Sequence, residues 1–391
     1  MPRQCEHRLA MTRREKRGET GGRGHPPLRE TEIRRDTQGP PYGGEEAGMR
    51  RQTGKCGFPR QSADWLGMTR RTLYSILAGL LALALCGCGI NGGSMRASAP
   101  ITKPGKVQVV CTLFPYYDFA KVIGGDDAEV TLLVAAGKEA HSFEPTPLDV
   151  IKLSKADVFL YNGGESEEWV EDILDAAGEN IRVTAAMMDL VDLAEEEFVE
   201  GMQVSEHDED GEDEEIEYDE HIWTSPLLAM DICRGICGAL CEADPAHAEN
   251  YEARLTDYLA ELGELDRAFR EVADGGVHRT LVFGDRFPLL YFAKTYGFAY
   301  RAAFHGCASD TEPSLATLKY LIDKVNGENI PAIYTIELSN QKIAQAIAET
   351  TGAKILTFQS CQTVSREDFV NGETYLSLMW RNVEALREGV R

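Results

Sequence analysis

Positive charge is scarce in this sequence. Its 391 residues include 40 Lys and Arg against 64 Asp and Glu, giving a formal net charge of −24. Of the 40 basic residues, 14 lie within residues 1–67, so the remainder of the chain is more acidic still. A surface of this sign repels nucleic acid and anionic lipid, and it suits a cationic partner. The composition therefore argues against a nucleic-acid-binding protein.

Recognisable catalytic motifs are also absent. The chain has no His-Glu-x-x-His segment and no evident general base paired with a nucleophile, which are the features that a secreted zinc hydrolase would show. It has no internal repeat, no stalk and no large aromatic patch to suggest an adhesin. A hydrolase and a cell-adhesion protein remain rival interpretations, and a non-enzymatic binding protein is favoured.

Long apolar runs are missing too. The clearest one, Leu73 to Leu85, is too short to span a bilayer as a permanent helix. It follows the basic segment Met68-Thr-Arg-Arg and precedes small residues and cysteine, which is the order found in secretory signals. Leu85-Cys86-Gly87-Cys88 resembles the bacterial lipobox. We therefore predict a lipoprotein signal peptide over residues 68–87, with Cys88 lipidated and anchored at the extracytoplasmic face of the cell membrane.

Residues 1–67 show no hydrophobic period. A secretory signal cannot work with such a charged stretch ahead of it, so we interpret residues 1–67 as a non-native extension, with translation beginning at Met68. A disordered N-terminal arm is the alternative. Residues 88–105 would then link the anchor to the folded body.

The body alternates β-rich and helical segments twice, over residues 106–243 and 277–391. This alternation is typical of βα units on a parallel sheet. We therefore predict an α/β fold of two parallel-sheet lobes. The predicted strands are Val107–Phe114, Glu129–Val134, Asp157–Tyr161 and Ile181–Val183 in the first lobe, and Thr280–Phe283, Phe298–Phe304, Ala332–Ile336 and Lys354–Phe358 in the second.

Residues 244–274 lie between the lobes and carry a helical pattern. Asp244-Pro245 is a typical helix start, apolar residues then recur at spacings of four and three, and Gly275-Gly276 ends the segment. A helix from Pro245 to about Ala273 would extend about 42 Å at 1.5 Å per residue and would join the lobes rigidly. A coiled-coil dimer seam fits less well because the repeat covers fewer than four heptads, so we expect a monomer.

The cysteines of the body fall into two groups. Cys233, Cys237 and Cys241 recur every four residues on one helix face, where disulfide geometry is rarely met, so we interpret them as core residues. Cys307 and Cys361 stand in loop-like contexts. Because exported cysteines are free to pair, we predict a disulfide between these two.

An acidic run precedes His221. Fifteen Asp and Glu residues lie between Glu195 and Glu220. Like charges at this density cannot pack into a core, so we predict a disordered loop that holds cations weakly.

Two histidines stand where a strand-like run has ended and a helix is about to begin. His141 opens His-Ser-Phe-Glu-Pro-Thr-Pro, and His221 opens His-Ile-Trp-Thr-Ser-Pro. A lone histidine is more often a cap or a surface residue, but this pair indicates a transition-metal site. Ligands of open parallel sheets bind beyond the carboxyl ends of the strands, where Asp285 and Glu337 also fall. Two facing lobes would bring these positions to one cleft.

Together, these features resemble the metal-binding lipoproteins of bacterial zinc and manganese ABC importers, in their zinc-type branch. The resemblance rests on the lipobox, both histidine segments, the acidic loop, the joining helix and the stretch from Ile336-Glu337 to Gly352-Ala-Lys-Ile. It runs from Met68 to the C-terminus. It implies a divalent metal in the cleft between two lobes, and delivery of that metal to a membrane permease rather than catalysis.

By motif match, the resemblance makes His141 and His221 the first two ligands and Glu337 the last. The third position departs from the family, because glycine stands where His or Glu is expected. Its neighbour Asp285 is our choice, with Gly284 letting the backbone turn inward, and His305 is the alternative. Imidazoles favour zinc and carboxylates favour manganese. Zinc is the expected cargo and manganese the alternative.

Overall fold

The computed structural model describes residues 105–178, 180–202, 217–307 and 312–391. The predicted extension, the signal peptide and Cys88 lie outside these ranges, as do residues 203–216 of the acidic run. Within them, no helix combines the length and the apolar character needed to cross a bilayer.

The first lobe is built on a four-stranded sheet with helices on both faces. Its elements are β1 (Val107–Cys111), α1 (Phe114–Gly124), β2 (Ala128–Leu132), α2 (Pro147–Leu153), β3 (Val158–Tyr161), α3 (Trp169–Ala177), β4 (Val183–Ala186) and α4 (Pro226–Ala243). The strands are parallel in the order β2-β1-β3-β4. Val109 and Leu160 pack in one apolar cluster and Val110 and Phe159 in another. Successive residues of each strand therefore face opposite sides of the sheet, as expected of a sheet covered on both sides.

The second lobe repeats the plan. Its elements are β5 (Thr280–Phe287), α6 (Leu290–Tyr296), β6 (Ala299–His305), α7 (Leu315–Glu328), β7 (Ala332–Thr335), α8 (Lys342–Thr351), β8 (Lys354–Thr357), α9 (Arg366–Asn371) and α10 (Tyr375–Gly389). The strands are parallel in the order β6-β5-β7-β8. In each sheet the first strand therefore lies between the second and the third. The strand order reverses at this first strand. Ligand-binding crevices form beyond the carboxyl ends of the strands at such a reversal. The predicted α/β fold of two parallel-sheet lobes is confirmed.

The longest described helix, α5 (Ala248–Gly275), follows α4 and precedes the first strand of the second lobe. It begins three residues later than the pattern predicts, because Pro245–His247 form a separate 3-10 turn. The spacing of four and three does predict its buried face, which includes Tyr251, Tyr258, Leu262, Leu265 and Phe269.

The lobes share one hydrophobic core. Its largest cluster joins Val109 and Leu160 of the first sheet with Phe283 and Tyr334 of the second, and the buried face of α5 belongs to the same cluster. Hydrogen bonds reinforce this junction, since the Tyr375 hydroxyl donates to the Trp223 carbonyl over 2.7 Å.

The cysteine predictions have mixed outcomes. Cys233 and Cys237 are buried core residues, as predicted, while Cys241 is half-buried with its Sγ 4.0 Å from that of Cys237. The predicted disulfide between Cys307 and Cys361 is wrong, since both are free thiols. Cys361 is fully buried within the core, whereas Cys307 turns toward the two histidines.

The acidic run is ordered at both ends. Glu195 and Tyr218 form an antiparallel bridge, and the Glu196 amide donates to the Glu217 carbonyl over 2.9 Å. Asp219 and Glu220, at the end of the run, are buried. The predicted disorder is therefore wrong for these flanks, because their backbone groups pair and several of their carboxylates find donors.

Candidate metal site

His221 follows the acidic run and starts the short turn that leads into α4. Its side chain is fully buried. The backbone fixes the residue, since its amide donates to Asp219 Oδ1 over 2.8 Å and its carbonyl accepts from the Thr224 hydroxyl over 2.7 Å. Neither ring nitrogen makes a hydrogen bond. Nδ1 is 3.4 Å from Asp219 Oδ1, which is ion-pair range only.

His141 lies on the loop between β2 and α2. The loop ends where Thr146 and Asp149 form a capping box at the start of α2. The His141 ring is half-buried, with its centroid 5.7 Å from that of His221. Its Nε2 is 3.0 Å from Nε2 of Gln362, which belongs to the second lobe. The two predicted histidine ligands are therefore brought together where the lobes meet.

Cys307 joins them from the second lobe. It lies just past the end of β6, and its Sγ and one nitrogen of each imidazole are all within 4.8 Å of one another. Sequence reasoning had assigned this cysteine to a disulfide. The signal that could have found it is its position immediately beyond the carboxyl end of a strand, the same signal that was used for Asp285 and Glu337.

Glu337 follows β7 and is buried, and it is not part of this cluster of ligand atoms. Its carboxylate accepts hydrogen bonds from the amide of Ser360 over 2.6 Å and from the Ser360 hydroxyl over 2.5 Å. The Ser360 carbonyl in turn accepts from the Trp223 indole over 2.8 Å. Ser360 thus connects Glu337 of the second lobe to Trp223, which lies two residues after His221.

Asp285 does not reach the group. Strand β5 continues to Phe287, four residues past the predicted end, with a register irregularity between Phe283 and Arg286. Asp285 therefore lies inside the strand, where its Oδ1 accepts the amide of Arg286 over 2.9 Å. Gly284 was expected to let the backbone turn inward. Instead it allows close packing, because a Cβ at this position would lie 2.7 Å from the Ala344 backbone of α8.

His305, the alternative third ligand, is engaged elsewhere. Its Nδ1 is 3.0 Å from Glu196 Oε1, and its ring centroid is 5.2 Å from that of Phe198. These contacts draw the imidazole to the ordered start of the acidic run. His305 is absent from the cluster of ligand atoms.

The electrostatics of the two imidazoles differ. Burial, aided by His221 and Arg286, lowers the pKa of His141 to about 3. Burial acts to lower the pKa of His221 as well, but the Asp219 carboxylate outweighs it and leaves that pKa raised. Burial likewise raises the pKa of the Glu337 carboxyl. Two imidazoles, a thiol and nearby carboxylates form a donor set suited to a divalent transition metal, which binds the imidazoles in their deprotonated form.

Comparisons with known proteins agree with a metal-handling role. Residues 109–389 match the family model described as zinc-uptake complex component A, periplasmic. The high-affinity zinc uptake system protein ZnuA of Bacillus subtilis (strain 168) is 32% identical over 326 residues, covering 81% of this chain and 97% of that protein.

Longer relatives and solved structures are similar as well. The zinc-binding lipoprotein AdcA of Streptococcus pneumoniae is 32% identical over 314 residues, which are 80% of this chain but 60% of AdcA, so the chain spans less than two thirds of that relative. The Zn(II)-bound ZnuA-like domain of S. pneumoniae AdcA superposes with a TM-score of 0.60 at 29% identity, covering 73% of this chain and 99% of that one.

Proposed function

Because the chain belongs to the family of zinc-uptake complex component A proteins, we propose that it binds zinc outside the cytoplasm and delivers it to the permease of an ABC-type importer. Zinc is cargo in this proposal, and manganese is the alternative ion. The protein acts by binding and release rather than by catalysis.

One observation carries the proposal, the buried pairing of His141 and His221 at the junction of two lobes. The His221 ring is fully buried and neither nitrogen is hydrogen-bonded. A buried polar group without a partner costs about 1–3 kcal/mol. A metal bound between the imidazoles would offset that cost and explain why the ring is kept there.

We propose His141 and His221 as ligands and Glu337 as a carboxylate that joins them when metal is present. Glu337 would exchange its Ser360 contacts for the metal, since those contacts occupy both carboxylate oxygens. Asp285 is left out of the set because it lies inside β5, whereas Cys307 and Glu337 each follow the carboxyl end of a strand.

The test begins with protein purified without a histidine tag. Elemental analysis, followed by competition between zinc and manganese, should show one tightly bound zinc per chain. His141→Ala and His221→Ala should each weaken binding at least about 100-fold. His278→Ala is the matched control, because His278 lies after α5 and outside the ligand cluster. Wild-type affinity in both site variants would overturn the proposal.

Location and rival activity need separate measurements. We propose that Cys88 carries the lipid anchor, and a Cys88→Ala protein should leave the membrane fraction. Detergent partitioning and the mass of the mature N-terminus test this directly. Hydrolysis of model esters or peptides that depends on added zinc would favour the rival zinc hydrolase.

A further inference from the structure

The three clustered ligand atoms have the dimensions of a metal site that is slightly expanded. Four-coordinate zinc has Zn–N bonds of about 2.0–2.1 Å and Zn–S bonds of about 2.3 Å, which place tetrahedral ligand atoms roughly 3.3–3.6 Å apart. The ligand atoms of His141, His221 and Cys307 lie within 4.8 Å of one another. Closing the cluster around an ion requires roughly 1 Å of movement.

The turn that carries Cys307 is packed directly on the His221 ring. A Cβ added to Gly306 would lie 3.0 Å from Cε1 and 3.1 Å from Nδ1 of His221. The residue that follows β6, Gly306, therefore lies against the imidazole of His221. The ring itself offers the second and independent sign of a ligand, because it is fully buried and neither of its nitrogens is hydrogen-bonded.

Charges of both signs lie around the ligand atoms, with Asp219, Glu220 and Glu196 acting on Cys307 and Arg286 acting on His141. Arg286 places its guanidinium near His141 while pairing with Glu139 over 2.8 Å. A divalent cation held by two imidazoles alone would bring its full charge into a site where His221 is fully buried, which is unfavourable without an anion in contact with the metal. A thiolate from Cys307 supplies that charge at the metal itself.

We infer that Cys307 is a metal ligand, so that two imidazoles and one thiolate form a site for thiophilic divalent metals that discriminates against manganese. The inference rests on the proposed function and specifies its chemistry. When metal binds, a metal–sulfur bond forms and the S–H proton passes to solvent. Thiolate ligands favour zinc, whereas manganese favours oxygen ligands, so the sulfur supplies selectivity that a carboxylate would not. The fourth position is left for Glu337 or water.

The experiment uses reduced, tag-free protein with cobalt(II) as a spectroscopic probe. A thiolate bound to cobalt gives a near-ultraviolet charge-transfer band, which nitrogen and oxygen ligands do not give. The wild-type protein should show the band at one equivalent of cobalt, and Cys307→Ser should lose it and bind zinc at least about 100-fold more weakly. Cys241→Ser is the matched control, a half-buried thiol on α4 outside the cluster, and it should keep both band and affinity.

A second variant covers the case in which the serine protein folds poorly. Cys307→Asp replaces sulfur with a hard oxygen ligand and should narrow the preference for zinc over manganese. A wild-type protein that binds zinc tightly without the band, together with a Cys307→Ser protein of unchanged affinity, would overturn the inference and leave the proposed function intact. Failure of the wild-type protein to bind either ion would remove both.

Discussion

The imidazole of His221 is positioned from three sides. Asp219 accepts from its amide, the Thr224 hydroxyl donates to its carbonyl, and Gly306 lies against its ring. These contacts restrict the ring in a fully buried position. Small displacements of one neighbour should therefore be felt in metal affinity, since preorganised ligands bind best.

Gly306→Ala tests this packing. The added Cβ would lie 3.0 Å from the His221 ring and 3.2 Å from the Phe287 carbonyl, so the ring must shift and zinc affinity should fall about 10–100-fold. Competition with a chromophoric chelator measures the change. Gly263→Ala is the control, because its Cβ would meet nothing within 4 Å on α5. It should leave affinity unchanged and stabilise the helix by about 0.5–1 kcal/mol.

Asp118 should make stability depend on pH. Its buried carboxylate accepts the Tyr375 amide over 2.9 Å at the start of α10, and burial raises its pKa to about 6. The unfolded chain ionises this group at a lower pH, so folding stability is lost as the pH rises from about 4 to about 6. At neutral pH the loss amounts to roughly 3 kcal/mol.

Asp118→Asn should remove that dependence. Urea unfolding at pH 4 and pH 7 should show the variant gaining stability relative to wild type by about 2–3 kcal/mol over this interval. Asp126→Asn is the control, because Asp126 is exposed and should give curves parallel to wild type. Parallel curves for Asp118→Asn would contradict the assignment.

The side chains that cluster at the lobe junction were only partly predictable from the sequence. His141 and His221 could be singled out because their flanking prolines and helix starts are local signals. Cys307 could not be placed beside them, because its position depends on where a strand ends and on the direction of each side chain after the strand. Asp285 lies within β5 and His305 contacts Glu196. Cys307, two residues after His305, clusters with His141 and His221.

At the scale of elements, the period of hydrophobic residues predicted all eight strands within a few residues. Strand boundaries were less accurate, since β5 extends through an irregularity that local pattern does not show. The order of strands within each sheet is a matter of long-range pairing, which a local pattern does not contain. The acidic run shows the same limit, because its flanks are ordered by contacts with distant segments such as β6.

Shortening the acidic run should separate the role of its central residues 203–216 from the role of its flank at Asp219. We expect that replacing residues 203–216 with a short Gly-Ser linker leaves one tight zinc site. Zinc capture should slow at low zinc concentration and low ionic strength, because the clustered carboxylates of the run attract cations most strongly under those conditions. Stopped-flow binding at two salt concentrations measures this. A deletion extended through Asp219 is the contrasting variant and should weaken tight binding, because Asp219 contacts His221. Equal affinities in the two deletions would contradict this division.

At the scale of the whole molecule, the two lobes are parts of one packed body. The sequence predicted two α/β lobes and a joining helix, but it did not reveal that one apolar cluster runs through both sheets and α5. Contacts between residues far apart in the chain create that cluster, and no local pattern reports them.

A shared core predicts a single unfolding event. Scanning calorimetry should give one peak whose calorimetric and van't Hoff enthalpies agree. Zinc at 100 times its dissociation constant should add about 2.7 kcal/mol of stability and move the whole peak upward. Two resolved peaks, with zinc shifting one of them, would show that the lobes unfold separately.

The continuous core also bears on how cargo leaves. Swinging one lobe away from the other would bare apolar side chains of both sheets to water, at a cost that grows with the area exposed. A wide clamshell motion is therefore a poor exit route. The turn at Gly306 and Cys307 packs on the His221 ring and carries one of the three clustered ligand atoms. Under the proposed function, displacing this one turn would open the cluster of ligand atoms while the core shared by the two lobes stays packed.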